Sequence, residues 1–154
     1  MNGFLVNYDI FWMEKAIYLA EKALHLGEVP VGSVLVFDNI ELSSGFNSSF
    51  NYSNPLGHAE INVLRKVIND FSYYRLYNTT LYVTLEPCLM CFGLILRTKI
   101  KRVVFGSYSI KDTSMVKLIY IFKKNNINID IEYTPGILKD ESNILLKNFF
   151  NNKR

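Results

Sequence analysis

Apolar residues at Met13, Ala16, Ile17, Ala20, Ala23 and Leu24 recur at the three- and four-residue spacing of one helix face. The pattern predicts an amphipathic helix over roughly Asp9 to Leu26, with Asp9 as N-cap and Gly27 as its stop. Val31 to Phe37 is apolar on both alternating faces, which predicts a strand covered from both sides. Asp38-Asn39 reads as a hairpin turn into a second strand over about Glu41 to Phe46, and the polar stretch Ser48 to Gly57 as a loop. Helical spacing returns at Ile61, Val63, Leu64, Val67 and Ile68. Leu81 to Leu85 and Arg102 to Phe105 are compact apolar runs that predict strands, with a helix over Cys88 to Arg97 between them. A helix near Met115 to Lys124, a strand near Ile129 to Tyr133 and a helix from Leu138 to Phe150 complete the chain. This alternation predicts an α/β fold, a three-layer α/β/α sandwich with a partly parallel sheet. No repeat or linker divides residues 1–154, so one domain is the simplest account.

Composition narrows the function classes. With 49% hydrophobic residues in 154, the chain has enough material for a core and is not a disordered segment. A formal charge of +3 permits a nucleic-acid partner without demanding one. Asn, Ile, Lys, Tyr and Phe are used heavily throughout, so a single surface Asn or Lys carries little information. The 2 cysteines lie three positions apart, which excludes a disulfide framework and suggests metal or redox chemistry in a reduced compartment. Met1 to Trp12 lacks the basic start of a secretory signal and carries Asp9. No apolar run reaches bilayer length, so a cytoplasmic location is expected.

The candidate chemistry lies in two short segments. His58-Ala59-Glu60 opens a predicted helix, and Pro87-Cys88-Leu89-Met90-Cys91 follows a predicted strand. Zinc takes imidazole and thiolate ligands in tetrahedral geometry, and a catalytic site leaves one position for water. His58, Cys88 and Cys91 supply three such ligands, and a helix N-terminus favours the thiolate form. Pro87 suits a first helical turn, where its missing N–H is not needed. Glu60 is two residues beyond His58, so it is free to face the bound water. A thioredoxin-like redox site would leave His58 and Glu60 unexplained, and a structural zinc site would need a fourth ligand. His25, near a helix end, reads as a surface residue. The combined H-x-E and P-C-x-x-C pattern is that of zinc nucleobase deaminases.

The chain resembles the bacterial tRNA-specific adenosine deaminases of the cytidine/deoxycytidylate deaminase-like zinc superfamily. The resemblance rests on Glu28-Val29-Pro30-Val31-Gly32, Gly45-Phe46-Asn47, His58-Ala59-Glu60-Ile61 and Tyr74-Arg75-Leu76. It continues through Thr80-Leu81-Tyr82-Val83-Thr84-Leu85-Glu86-Pro87-Cys88, Met90-Cys91, Val103-Val104-Phe105-Gly106, Gly136-Ile137-Leu138 and Phe149-Phe150. The zinc motif is shared with cytosine, cytidine and guanine deaminases. The EVPVG and TLYVTLEPC stretches are more specific to the tRNA branch.

The resemblance implies a cytidine deaminase-like fold with a five-stranded mixed sheet and one Zn2+ per subunit. The implied reaction converts wobble adenosine, position 34 of the anticodon, to inosine. Zinc-bound hydroxide attacks C6, while Glu60 delivers a proton to N1 and then to the departing ammonia. It further implies that Asn47 binds the nucleoside, that Val29 and Ala59 line its pocket, and that Leu85 and Glu86 offer a backbone carbonyl to the attacked base. Tyr74, Arg75, Lys111, Phe149, Phe150, Lys153 and Arg154 become candidate RNA contacts, Tyr73 stands beside them, and a homodimer is expected. The rival readings are a deaminase of free guanine, cytosine or a nucleoside, and a non-catalytic zinc-containing RNA-binding subunit. The segment Ser107 to Thr113 departs from the family pattern A-x-D-x-K-x-G, keeping Lys111 alone. Leu56-Gly57 replaces the usual Thr-Ala, and Asn151 and Asn152 stand where the family is more cationic. These departures leave the zinc ligands untouched and bear on tRNA affinity and stringency.

Overall fold

The computed structural model describes residues 2–72, 74–110 and 114–152. Its elements are α1 (Asn2–His25), β1 (Gly32–Phe37), β2 (Ile40–Phe46), α2 (Ala59–Phe71), β3 (Thr79–Leu85), α3 (Leu89–Thr98), β4 (Arg102–Ser107), α4 (Met115–Lys124), β5 (Glu132–Pro135) and α5 (Lys139–Asn151). The strands form one 5-stranded sheet in the order β2-β1-β3-β4-β5. β1 pairs antiparallel with β2 and β3, whereas β3, β4 and β5 run parallel. The antiparallel corner follows from the Asp38-Asn39 turn, whose two residues have φ of 48° and 58°, the backbone of a tight hairpin. The parallel half follows from α3 and α4, each of which returns the chain to the same end of the sheet.

The sheet is covered on both faces, as its apolar strands require. On one face Leu35, Leu81, Val83, Val103 and Phe105 meet Val63, Leu64, Phe92, Ile95 and Met115 from α2, α3 and α4. On the other, Val34, Val36, Tyr82 and Val104 meet Trp12, Met13, Ala16 and Leu19 of α1, and α5 packs beside α1 and over β4. The expected three-layer α/β/α sandwich and mixed sheet are therefore present. α1 crosses the start of β1 so closely that a Cβ on Gly32 would lie 2.0 Å from the Ala16 carbonyl oxygen. Only glycine fits there.

Two expectations are corrected. α1 begins at Asn2, so Asp9 lies inside the helix and does not cap it. Asp9 is buried, and its carboxylate takes two hydrogen bonds from the Arg102 guanidinium at 2.9 and 2.7 Å and one from the Tyr82 hydroxyl at 2.9 Å. The strand expected over Ile129 to Tyr133 begins at Glu132. Ile129 and Ile131 are apolar because they pack against the core, and pairing with β4 starts where Glu132 N–H meets the Lys101 carbonyl at 3.0 Å. Among the described residues, no helix is long and apolar enough to cross a membrane.

Candidate metal and active site

The site is built on two helix starts. His58 is the N-cap of α2 and Cys88 the N-cap of α3, both with extended backbone, and neither side chain caps its own helix. An N-cap side chain ordinarily accepts a hydrogen bond from the first turn. For α2 that work passes to Asn47, whose Oδ1 accepts from Ala59 N–H at 2.8 Å. The His58 and Cys88 side chains are thereby released to face each other.

They meet closely. His58 Nδ1 lies 3.6 Å from Cys88 Sγ and 3.4 Å from Cys91 Sγ, and the three ligand atoms all fall within 4.8 Å of one another. A tetrahedral zinc with ordinary Zn–N and Zn–S bonds sets nitrogen and sulfur about 3.6 Å apart. The donors are thus spaced for one ion, and they are the soft and borderline donors that zinc prefers. Cys91 is buried, while His58 and Cys88 are partly exposed, so the cluster is accessible from one side.

The electrostatics suit a cation. The Cys88 thiol is pushed down to about 3, chiefly by the hydrogen bond from Cys91 and further by His58, with burial working against them. The Cys91 thiol moves up, because it is the donor in that bond and because burial and the nearby Glu60 oppose its charge. Glu60 lies in the first turn of α2 and is 4% exposed. Burial raises its carboxyl above the usual carboxylate range, and the pull of its own backbone N–H and of His58 does not cancel this. A buried carboxyl therefore stands beside the metal-ligand group without belonging to it.

The remaining candidate residues divide. Asn47 is buried at the end of β2, and its N–H donates to the Val31 carbonyl at 3.0 Å. Ala59 is buried, and Val29 and Leu85 are half-buried against the same core. The Glu86 side chain is buried and accepts from Ser109 N–H at 2.9 Å and Val116 N–H at 2.8 Å. The guanidinium groups of Arg75 and Arg97 lie over the Tyr74 ring, 5.8 and 5.9 Å from its centroid. Phe149 is turned into the protein, whereas its neighbour Phe150 is 54% exposed. Tyr73, Lys111, Lys153 and Arg154 lie outside the described residues.

Sequence reasoning gave two residues no role. Glu28 is fully buried and accepts from Phe50 N–H at 3.0 Å and Asn51 N–H at 2.8 Å. Asn62 on α2 donates from Nδ2 to the Phe46 carbonyl at 2.8 Å and to Ser48 Oγ at 3.0 Å. The available signal for Glu28 was a charged residue followed by the short apolar run Val29-Pro30-Val31.

Comparison with known proteins agrees with this geometry. Residues 6–107 match the model of the cytidine and deoxycytidylate deaminase zinc-binding region. A tRNA-specific adenosine deaminase of Haemophilus influenzae is 44% identical over 96% of this chain and 86% of its own. Its counterpart in Buchnera aphidicola subsp. Schizaphis graminum is 43% identical over 96% of this chain and 97% of its own. A solved structure from work on A-to-I editing by tRNA:A34 deaminases superimposes with a TM-score of 0.79 at 32% identity, covering 88% of this chain and 99% of that one.

Proposed function

The chain belongs to the cytidine and deoxycytidylate deaminase zinc-binding family, and from that premise we propose that it is a tRNA adenosine deaminase that converts wobble adenosine to inosine. The observation that carries the deaminase chemistry is the His58, Cys88 and Cys91 cluster, with N···S separations of 3.4 and 3.6 Å, beside the buried carboxyl of Glu60. A redox dithiol needs neither the imidazole nor the carboxyl.

When bound, zinc supplies Lewis acidity that brings the pKa of a water to about 7. His58, Cys88 and Cys91 would hold the ion through one imidazole nitrogen and two thiolates. Glu60 takes one proton from the attacking water and passes it to N1 of the adenine. It then takes the second proton of the same oxygen as the C6–O double bond forms and delivers it to the departing amine. Adenosine and water thereby become inosine and ammonia. Its burial assists, because a carboxyl whose pKa is raised toward working pH both accepts and returns a proton readily. Asn47 uses Oδ1 on the Ala59 N–H, which leaves Nδ2 to donate to the nucleoside. Val29 and Ala59 form apolar pocket wall, and the Leu85 carbonyl accepts from the amine being replaced.

The RNA is held outside this pocket. Tyr74, Arg75 and Phe150 offer exposed rings and charge, with Lys111, Lys153 and Arg154 as further cations and Phe149 as the anchor that fixes Phe150 on α5. One deaminase domain over residues 1–154 works in the cytoplasm as a homodimer, with one zinc per subunit. The decisive experiment measures zinc per chain and inosine in a hairpin RNA with adenosine at the wobble position. One zinc and inosine are expected. Ammonia from free guanine or cytosine without inosine in the hairpin would replace this reading with a free-base deaminase. Zinc with neither product would leave an RNA-binding subunit.

A further inference from the structure

We infer that Glu28 and Glu86 are a matched pair of positioning residues whose carboxylates clamp the two backbone rims of the site and so set how tightly the RNA is gripped. The clause on RNA rests on the deaminase reading above. The clamps themselves rest on geometry alone.

Each carboxylate uses both oxygens on backbone N–H groups. Glu28 is 0% exposed and holds Phe50 and Asn51 through Oε2 and Oε1. Glu86 is 3% exposed and holds Ser109 and Val116 through Oε2 and Oε1. Neither forms an ion pair with a Lys or Arg among the described residues. Phe50 and Asn51 lie in the connection from Asn47 to His58. Ser109 lies just after β4 and Val116 in the first turn of α4, next to Cys88. There Ser114 bridges to Cys88, and Met115 N–H reaches the Pro87 carbonyl at 3.1 Å. One clamp thus holds the stretch that adjoins the imidazole ligand, and the other holds the stretch that adjoins a thiolate ligand.

The chemistry requires this side-chain type. A carboxylate only accepts hydrogen bonds, and both of its partners are donors. Glutamine has the same shape but turns an NH2 toward one N–H, so one of the two bonds is lost and a buried donor is left unmet. At the second clamp Glu86 also stands in for a missing cap. Ser114, the N-cap of α4, makes no side-chain cap bond, and the Glu86 carboxylate takes the Val116 N–H at the positive end of that helix. What the rims display explains why they need holding. Phe50 and Tyr52 are 57% and 77% exposed on one rim, and Tyr108 and Ile110 are 48% and 100% exposed on the other. Exposed rings such as Phe50 and Tyr52 are surfaces on which unpaired nucleotides can stack. Tyr108, packed edge-on against Phe105 with Lys139 over its ring, joins a cation to an aromatic face. Such surfaces work only if the backbone beneath is fixed.

The test uses full-length Glu86→Gln and Glu28→Gln, each compared with wild type. Expected are unchanged zinc per chain and about tenfold faster amide exchange, confined to Ser109 and Val116 in the first variant and to Phe50 and Asn51 in the second. On the anticodon hairpin, KM should rise about tenfold while kcat changes less than about threefold, the signature of lost binding rather than lost chemistry. Unchanged exchange and unchanged KM overturn the inference. So does a fall in kcat at constant KM, which would put the carboxylate in the chemistry, and so does loss of zinc. If one variant fails to fold, the other carries the test. Failure of both to fold also overturns it, because a rim clamp must leave the core standing. If wild type makes no inosine in the hairpin, the deaminase reading fails, while the exchange measurement still judges the clamps.

Discussion

Two groups of buried polar side chains mark the two ends of the parallel strands, and they are finished in opposite ways. At the start of β4, Asp9 is answered within the protein by Arg102 and by the Tyr82 hydroxyl, and Arg102 also donates to Thr134 at 2.7 Å. At the far end, Cys88, Cys91 and Glu60 gather negative or proton-hungry groups with only His58 among them. The first group is closed: its charges cancel and its hydrogen bonds are made. The second is open: among the described residues Cys88, Cys91 and Glu60 form no ion pair with a Lys or Arg. Burying such groups unpaired is costly, so an open cluster is a sign of a cation that belongs there. Burial of polar atoms alone does not distinguish a structural cluster from a chemical one. The balance of charge does.

Four measurements test that contrast, and the largest effect should come from the metal. Chelation should abolish turnover and lower the unfolding free energy by about 4 kcal/mol relative to protein at free zinc a thousandfold above its Kd. Denaturant midpoints with and without chelator would show this, and equal midpoints would mean that the open cluster holds no ion. Next, Glu60→Ala should keep its zinc and lose on the order of 10²–10⁴-fold in kcat. Normal turnover would remove Glu60 from the chemistry. At the closed cluster the pattern reverses. Arg102→Met strands a buried carboxylate and should cost about 3 kcal/mol of stability, while zinc content and turnover per folded molecule stay at the wild-type level.

The smallest effect is Tyr82→Phe, which should cost about 1 kcal/mol near neutral pH. Burial first, and then the charge of Asp9, hold the Tyr82 phenol above its ordinary value of 10.0. A group whose pKa is raised by folding contributes fully below the unfolded value. That contribution is lost as pH climbs toward the folded value. The advantage of wild type over Tyr82→Phe should therefore be constant up to about pH 9 and shrink above pH 10, by roughly 1.4 kcal/mol per unit. Stability curves for both proteins between pH 8 and 11 measure it.

The contrast also explains what was readable in the letters. The open cluster was legible because its donors come in fixed local spacings, His58 with Glu60 and Cys88 with Cys91, and each spacing opens a helix. The closed cluster was invisible, since Asp9 and Arg102 stand 93 positions apart and Asp9 reads locally as a cap. That single misreading cost the first turns of α1. α4 was read to its observed ends, Met115 and Lys124, because its apolar spacing is regular and its ends are marked by polar residues. The strand β5 was misplaced because Ile129 and Ile131 are apolar for packing and not for pairing. Glu28 stayed without a role, and Glu86 was credited with its backbone carbonyl and not with its side chain, for another reason. Their partners are backbone N–H groups, which no letter records.

That Asn47, and not the imidazole, tethers the first turn of α2 bears on how the molecule is assembled. The imidazole arm of the pincer is anchored by a hydrogen bond within the polypeptide, so metal loading should not require the chain to refold. A stripped sample should recover on simple addition of metal, with no passage through the unfolded chain.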